Sequence, residues 1–165
     1  MRVAGAILLL LGLIDAPSIS AAELPLRKPG LWQVKTTVDQ RGAQARIVEQ
    51  CIDSATDQLL QSNAGPFASS ACSGRNVARG ENSMTIDSAC TFGGKPATAR
   101  AVISGSMDSA YTMQVTSQGE GLPGGKMVMT MEARWLGPCT ADQKPGDVVM
   151  SNGVKLNVPE MQMQR

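Results

Sequence analysis

Apolar and polar residues alternate with period two through most of this chain, the pattern of half-buried β-strands. Lys126 to Leu136 is the clearest case. Met127, Met129, Met131, Ala133 and Trp135 line one face; Val128, Thr130, Glu132 and Arg134 line the other. Leu31 to Asp39 repeats it, with Trp32, Val34, Thr36 and Val38 opposite Gln33, Lys35, Thr37 and Asp39. Gln40-Arg41-Gly42 turns the chain, and Ala45 to Cys51 returns as a hairpin partner. Gly74–Arg79 and Ser83–Ala89 flank Gly80-Glu81-Asn82, and Ala97–Ser104 and Ala110–Ser117 flank Gly105–Ser109. Near the end, Asn152-Gly153 stands between Val148/Met150 and Val154/Leu156/Val158, a strong short-range hairpin signal.

The period changes after Cys51. Asp53 can cap a helix whose body is Ser54 to Gln61, with Asp57 in an acidic first turn and Leu59-Leu60 on the buried side. Nothing alternates strand with helix, which disfavours a parallel α/β sheet. The fold class that follows is all-β. It is a single antiparallel domain of about seven to nine strands, as a curled sheet, barrel or sandwich, with one short helix near 54–61.

The two ends read differently. Met1-Arg2 is a short positive start, Val3 to Ile14 is almost wholly apolar, and Ser20-Ala21-Ala22 offers small residues for cleavage. That is the pattern of a secretory signal peptide over residues 1–22, cleaved near Ala22. Its apolar run falls well short of the ~20 residues a membrane span needs. No cysteine follows it, which argues against a lipid anchor. The β domain is expected over 23–158 and a loose tail over 159–165. A periplasmic or secreted location follows, with no transmembrane segment after cleavage.

Net charge is +1, and Lys and Arg are scattered, so nucleic acid is a poor partner. Aromatic residues are few, and a thin core in an exported domain commonly gains support from disulfides. The four cysteines allow three pairings. Cys72 and Cys90 are symmetric about residue 81, inside the Gly80-Glu81-Asn82 turn. Folding that stretch as a hairpin sets the two sulfurs across the ladder from each other. The hairpin argument favours Cys72–Cys90 and leaves Cys51–Cys139.

Pro29-Gly30-Leu31-Trp32 opens a strand just after the signal peptide. Cys51-Ile52-Asp53, two mid-chain cysteines and a closing Trp135-Leu136-Gly137-Pro138-Cys139 complete a set of motifs spread over most of the mature chain. Together they make the chain resemble the bacterial exported family catalogued as domain of unknown function 3617. The resemblance implies an envelope location and a β-rich fold. It implies no activity and carries over no catalytic residue.

Candidate chemistry is sparse. The chain has no histidine, which removes Ser-His-Asp and Cys-His nucleophiles and histidine-based metal sites. No serine has a lysine three residues on, so a Ser-x-x-Lys site is absent too. Glu49, Glu120 and Glu132 are scattered as solvated acids normally are. Gly119-x-Gly121-x-x-Gly124 matches a dinucleotide fingerprint by letter, but Pro123 sits inside it and a strand follows, so it reads as a hairpin loop. No catalytic residue and no cofactor is expected.

The methionines are the sharpest positive feature. Met127, Met129 and Met131 set three thioethers in a row, and Met161 and Met163 add two more. Thioethers suit Cu(I), whereas an apolar alternating face is ordinarily a packed one. With Trp135, the same three methionines could line an apolar cavity for a small molecule. The expectation is therefore a non-enzymatic envelope protein, a small binding or accessory module with an apolar cavity. A Met-based Cu(I) binder and an interaction module that offers its sheet edges to an envelope protein are the alternatives.

Overall fold

The computed structural model describes residues 24–40, 43–63 and 72–163. The signal peptide expected over 1–22 lies outside the described residues.

The strands form where the alternation places them: β1 Gly30–Val38, β2 Arg46–Ile52, β3 Cys72–Arg79, β4 Ser83–Phe92, β5 Lys95–Ser106, β6 Ala110–Gly119, β7 Lys126–Gly137, β8 Asp147–Met150 and β9 Lys155–Asn157. All described pairings are antiparallel, in one sheet of order β3-β4-β5-β6-β7-β1-β2-β8-β9. The strands β3 to β7 form a meander whose last strand docks on β1. The connection from β2 to β3 passes from one flank of the sheet to its far edge and carries the helix α1, Ser54–Asn63. The sheet is not closed, since β3 and β9 each have one strand neighbour. Of the three forms open from the sequence, this is the single sheet rather than the barrel or the two-sheet sandwich.

One face of the sheet is buried. Its residues are the alternating apolar sets: Trp32 and Val34 on β1, Met84 and Ile86 on β4, Ala99, Ala101 and Ile103 on β5, Tyr111, Met113 and Val115 on β6, and Ala133 on β7. Trp32 is fully buried, with its ring centroid 5.9 Å from that of Tyr111 and its Nε1–H donated to the Lys28 carbonyl at 2.8 Å. A buried indole needs such an acceptor. Helix α1 contributes Leu60 to the same core. Its start is fixed reciprocally: the Thr56 N–H donates to Asp53 Oδ1 at 2.8 Å and the Asp53 N–H donates to Thr56 Oγ1 at 2.9 Å.

One short helix is expected from the sequence, and the structure has a second. Residues Val158–Met163 form α2. Pro159 lies in the first turn, where a missing N–H is tolerated. The Val158 N–H donates to the Gly146 carbonyl at 3.0 Å, and Lys144 pairs with Glu160 at 2.5 Å. These contacts come from a loop distant in sequence, so local pattern does not announce them.

Both cysteine pairs stand as disulfides, Cys51–Cys139 with Cα atoms 5.5 Å apart and Cys72–Cys90 across the β3–β4 ladder. That ladder is not uniform. From Arg75↔Ser88 to Arg79↔Met84 it keeps one register, and between Ser73 and Arg75 it slips by one residue. The extra residue is Gly74, at φ +58°, a left-handed conformation suited to a bulge glycine. Without the slip Cys72 would face Thr91 rather than Cys90.

Candidate functional site

The buried face is half-open at the central strand β7 as well as on its flanking strands. Strand β7 has four strands on each side, so exposure there is no edge effect. Its inner residues Met127, Met129 and Met131 are nonetheless only half-buried, as are Thr36 and Val38 beside them on β1. The same rows on β5 and β6 are closed: Ala99, Ala101, Ile103, Met113, Val115 and Ser117 are each at most 6% exposed.

The register fixes which residues share a row. Met131 stands between Met113 on β6 and Thr36 on β1, and Met129 between Val115 and Val38. Met127 pairs with Ser117. Successive methionines on one strand face are roughly 7 Å apart. The outcome is a patch of flexible, polarizable side chains over the middle of the sheet, with a second thioether strand at Met113. Such surfaces adapt to ligand shape.

Trp135 lies on the same face but apart from this patch. Ala133 separates it from Met131, and it stands opposite Trp32. Its Nε1–H donates to the Pro29 carbonyl at 3.1 Å, and Lys28 Nζ sits 3.7 Å from its ring centroid. A cation over an indole face is attractive. Trp135 is thus engaged with the segment that enters β1, and the structure gathers the three methionines without it.

Beyond Trp32 the inner face is closed by a polar cluster. Arg27 and Asp57 pair there, 6% and 0% exposed, with Nη2 to Oδ1 at 2.8 Å and the Arg27 backbone N–H donated to Oδ2 at 2.7 Å. Arg27 Nη1 also donates to Gln50 Oε1 at 2.8 Å, and Gln61 Nε2 donates to Asp57 Oδ2 at 2.9 Å. Burial pushes the Tyr111 phenol above its ordinary pKa, opposed by the charge of Arg27. Every polar group of the ion pair has a partner, so the cluster holds α1 and the entering segment to the sheet rather than presenting chemistry. Sequence reasoning assigned Asp57 to the helix N-terminus and missed Arg27, thirty residues away. A buried position for an arginine carries no local signature.

The rest of the surface is ordinary. The outer face has open depressions of ≈ 590 Å³ beside Asp87 and Arg100 and ≈ 570 Å³ beside Lys35 and Glu132. Their charges are paired, Arg100–Asp87 at 3.6 Å and Lys35–Glu132 at 3.0 Å. Gly119 and Gly121 of the fingerprint-like motif lie at a hairpin loop, followed by a 3-10 turn over Pro123–Gly125 and then β7. A side chain on Gly121 would collide with the Phe92 carbonyl, which accounts for that glycine by packing. Among the described residues no group of three acidic, Cys or His side chains could hold a metal ion. Among them, too, no helix is long and apolar enough to cross a membrane.

Residues 27–139 match the family described as "Protein of unknown function (DUF3617)". No curated protein and no solved structure matches the chain.

Proposed function

The chain belongs to that family of unknown function, and on this premise we propose that it is an exported, non-enzymatic module of the cell envelope that holds an apolar small molecule against the methionine rows of its inner face. The observation that carries this reading is the half-burial of Met127, Met129 and Met131 on a strand at the centre of the sheet. An apolar face fully used for packing is closed at its centre; this one is half-open at its central strand as well as on its flanking strands. Two disulfides are compatible with an oxidising, exported environment. The test is binding of the neutral apolar fluorophore 1-N-phenylnaphthylamine to the oxidised protein. Fluorescence should rise with the wild type and fall away with Met129→Glu/Met131→Glu, at unchanged fold by circular dichroism. No rise with the wild type rejects the reading.

A second reading uses the same side chains. Met113 opposite Met131 adds a thioether from a neighbouring strand to the three on β7, and thioethers favour Cu(I). Titration with Cu(I) under a competing chelator separates the two. Equal affinity in the wild type and in Met129→Ala/Met131→Ala removes the copper reading.

A further inference from the structure

With all four cysteines in disulfides, the most readily oxidised side chains left in this protein are its thioethers. The fold sorts them by access. Met161 and Met163 on α2 are 50% and 80% exposed, whereas Met84 and Met113 are each 6% exposed. Met107, Met127, Met129, Met131 and Met150 are half-buried. Of these, Met107 lies in the β5–β6 turn and Met150 ends β8; the other three occupy successive inner positions of β7.

Oxidation of a thioether starts from a sulfur lone pair, which must be reachable and unengaged. Met84 fails on both counts, because it is buried and its Sδ accepts a hydrogen bond from Arg79 Nη1 at 3.5 Å. Met113 is shut in between Ile103 and Met131 on the neighbouring strands. The β7 methionines belong to the part of the face that water reaches. Thr36, half-buried too, stands directly across the ladder from Met131, and opposed residues have Cβ atoms roughly 5 Å apart. A sulfoxide oxygen formed there has a hydroxyl and water from which to accept hydrogen bonds, so the fold need not open to accommodate it.

We infer that Met127, Met129 and Met131 form a modification site, at which hydrogen peroxide converts the thioethers to sulfoxides and ends the affinity of the inner face for apolar molecules while the domain stays folded. A sulfur lone pair attacks one oxygen of the peroxide. The O–O bond breaks, the S–O bond forms, and the second oxygen leaves as water with both protons. Sulfur gives up two electrons and the peroxide takes them. Each event sets a polar oxygen into rows otherwise made of Val38, Val115 and Met113 beside Thr36 and Ser117. The loss of ligand rests on the apolar-ligand reading above; the oxidation itself does not.

The experiment treats the disulfide-bonded protein with hydrogen peroxide. Peptide mass spectrometry maps the sulfoxides over time, circular dichroism follows the fold, and 1-N-phenylnaphthylamine fluorescence follows the face. Met127, Met129 and Met131 should oxidise roughly ten-fold or more faster than Met84 and Met113, which wait for an opening of the fold. The folded spectrum should persist, and fluorescence should fall as the three sulfoxides appear. Met127→Leu/Met129→Leu/Met131→Leu keeps volume and apolar character. The same treatment oxidises its remaining exposed methionines and should leave its fluorescence unchanged. Three outcomes each overturn the inference: β7 methionines as slow as Met84 and Met113, unfolding with the first β7 sulfoxide, or equal loss of fluorescence in the wild type and the leucine variant. The wild-type map decides the first two whether or not the leucine variant folds. If the untreated wild type binds no fluorophore, the apolar-ligand reading fails on its own, and hydrophobic interaction chromatography reads the face instead. Retention should then drop in the peroxide-treated wild type and hold in the leucine variant, and equal shifts overturn the inference.

Discussion

Arg27 and Asp57 meet across thirty residues of sequence as a buried pair, with Arg27 Nε donating to Asp57 Oδ1 at 2.8 Å and the Arg27 backbone N–H to Oδ2 at 2.7 Å. One carboxylate thereby holds the segment entering β1, the side chain of Gln61 and the body of α1. Breaking a buried pair from one side leaves an uncompensated charge, which typically costs about 3–5 kcal/mol. Asp57→Asn and Arg27→Ala should each lower stability by that order in denaturant melts. Replacing both, as Arg27→Met/Asp57→Leu, should recover part of the loss. A double variant no better than the worse single one would refute this account.

The two disulfides should differ in weight. Cys51–Cys139 closes a separation of 88 residues and Cys72–Cys90 one of 18. Loop-closure entropy scales with the logarithm of that length, so the longer bridge should contribute about 1.4 kcal/mol more. Urea melts of the paired Cys→Ser variants, Cys51/Cys139 against Cys72/Cys90, measure the difference. Equal losses would show that folded-state geometry rather than chain entropy sets the effect.

Acid should weaken the fold through two carboxylates. Hydrogen bonds from the Thr56 backbone and side chain hold Asp53 below the ordinary value of 3.8. At Asp147 burial pushes upward, but the Asn157 side-chain N–H, the Lys144 backbone N–H and the charges of Lys155 and Lys144 outweigh it and the net shift is down. A folded value below the unfolded one means the unfolded chain binds more protons in between. The contribution is complete above the unfolded value and disappears as pH falls through the folded values. Melting temperature should therefore hold down to about pH 5 and drop below about pH 4. Asp53→Asn/Asp147→Asn should flatten that limb; an unchanged slope would assign it to other groups.

Gly74 gives a sharper test of the ladder. A side chain at φ +58° is strained, so Gly74→Val should cost about 1–2 kcal/mol. Deleting Gly74 should be tolerated better. Removal of the bulge residue makes the ladder continuous and still leaves Cys72 opposite Cys90. Mass spectrometry without reductant reads the bridge, and thermal melts read the cost. A deletion variant with free thiols would contradict the register described above.

The period-two pattern by itself determined the strands, because a half-buried strand must place apolar residues on alternate positions whatever surrounds it. Leu31 to Asp39, Lys126 to Leu136 and the Asn152-Gly153 hairpin were legible for that reason. So were the cap at Asp53 and the candidate patch of Met127, Met129 and Met131. The Cys72–Cys90 midpoint points to the right pair, yet the ladder reaches it only through the Gly74 slip, which residue counting does not reveal. Only the tertiary structure decided that the sheet stays open, that β7 docks on β1, and that Val158–Met163 form α2 against Gly146 and Lys144. It also decided that Arg27 finds Asp57. These are contacts between residues far apart in the chain. Strand order sets which rows become neighbours, and alternation along one strand carries no information about which strand lies beside it.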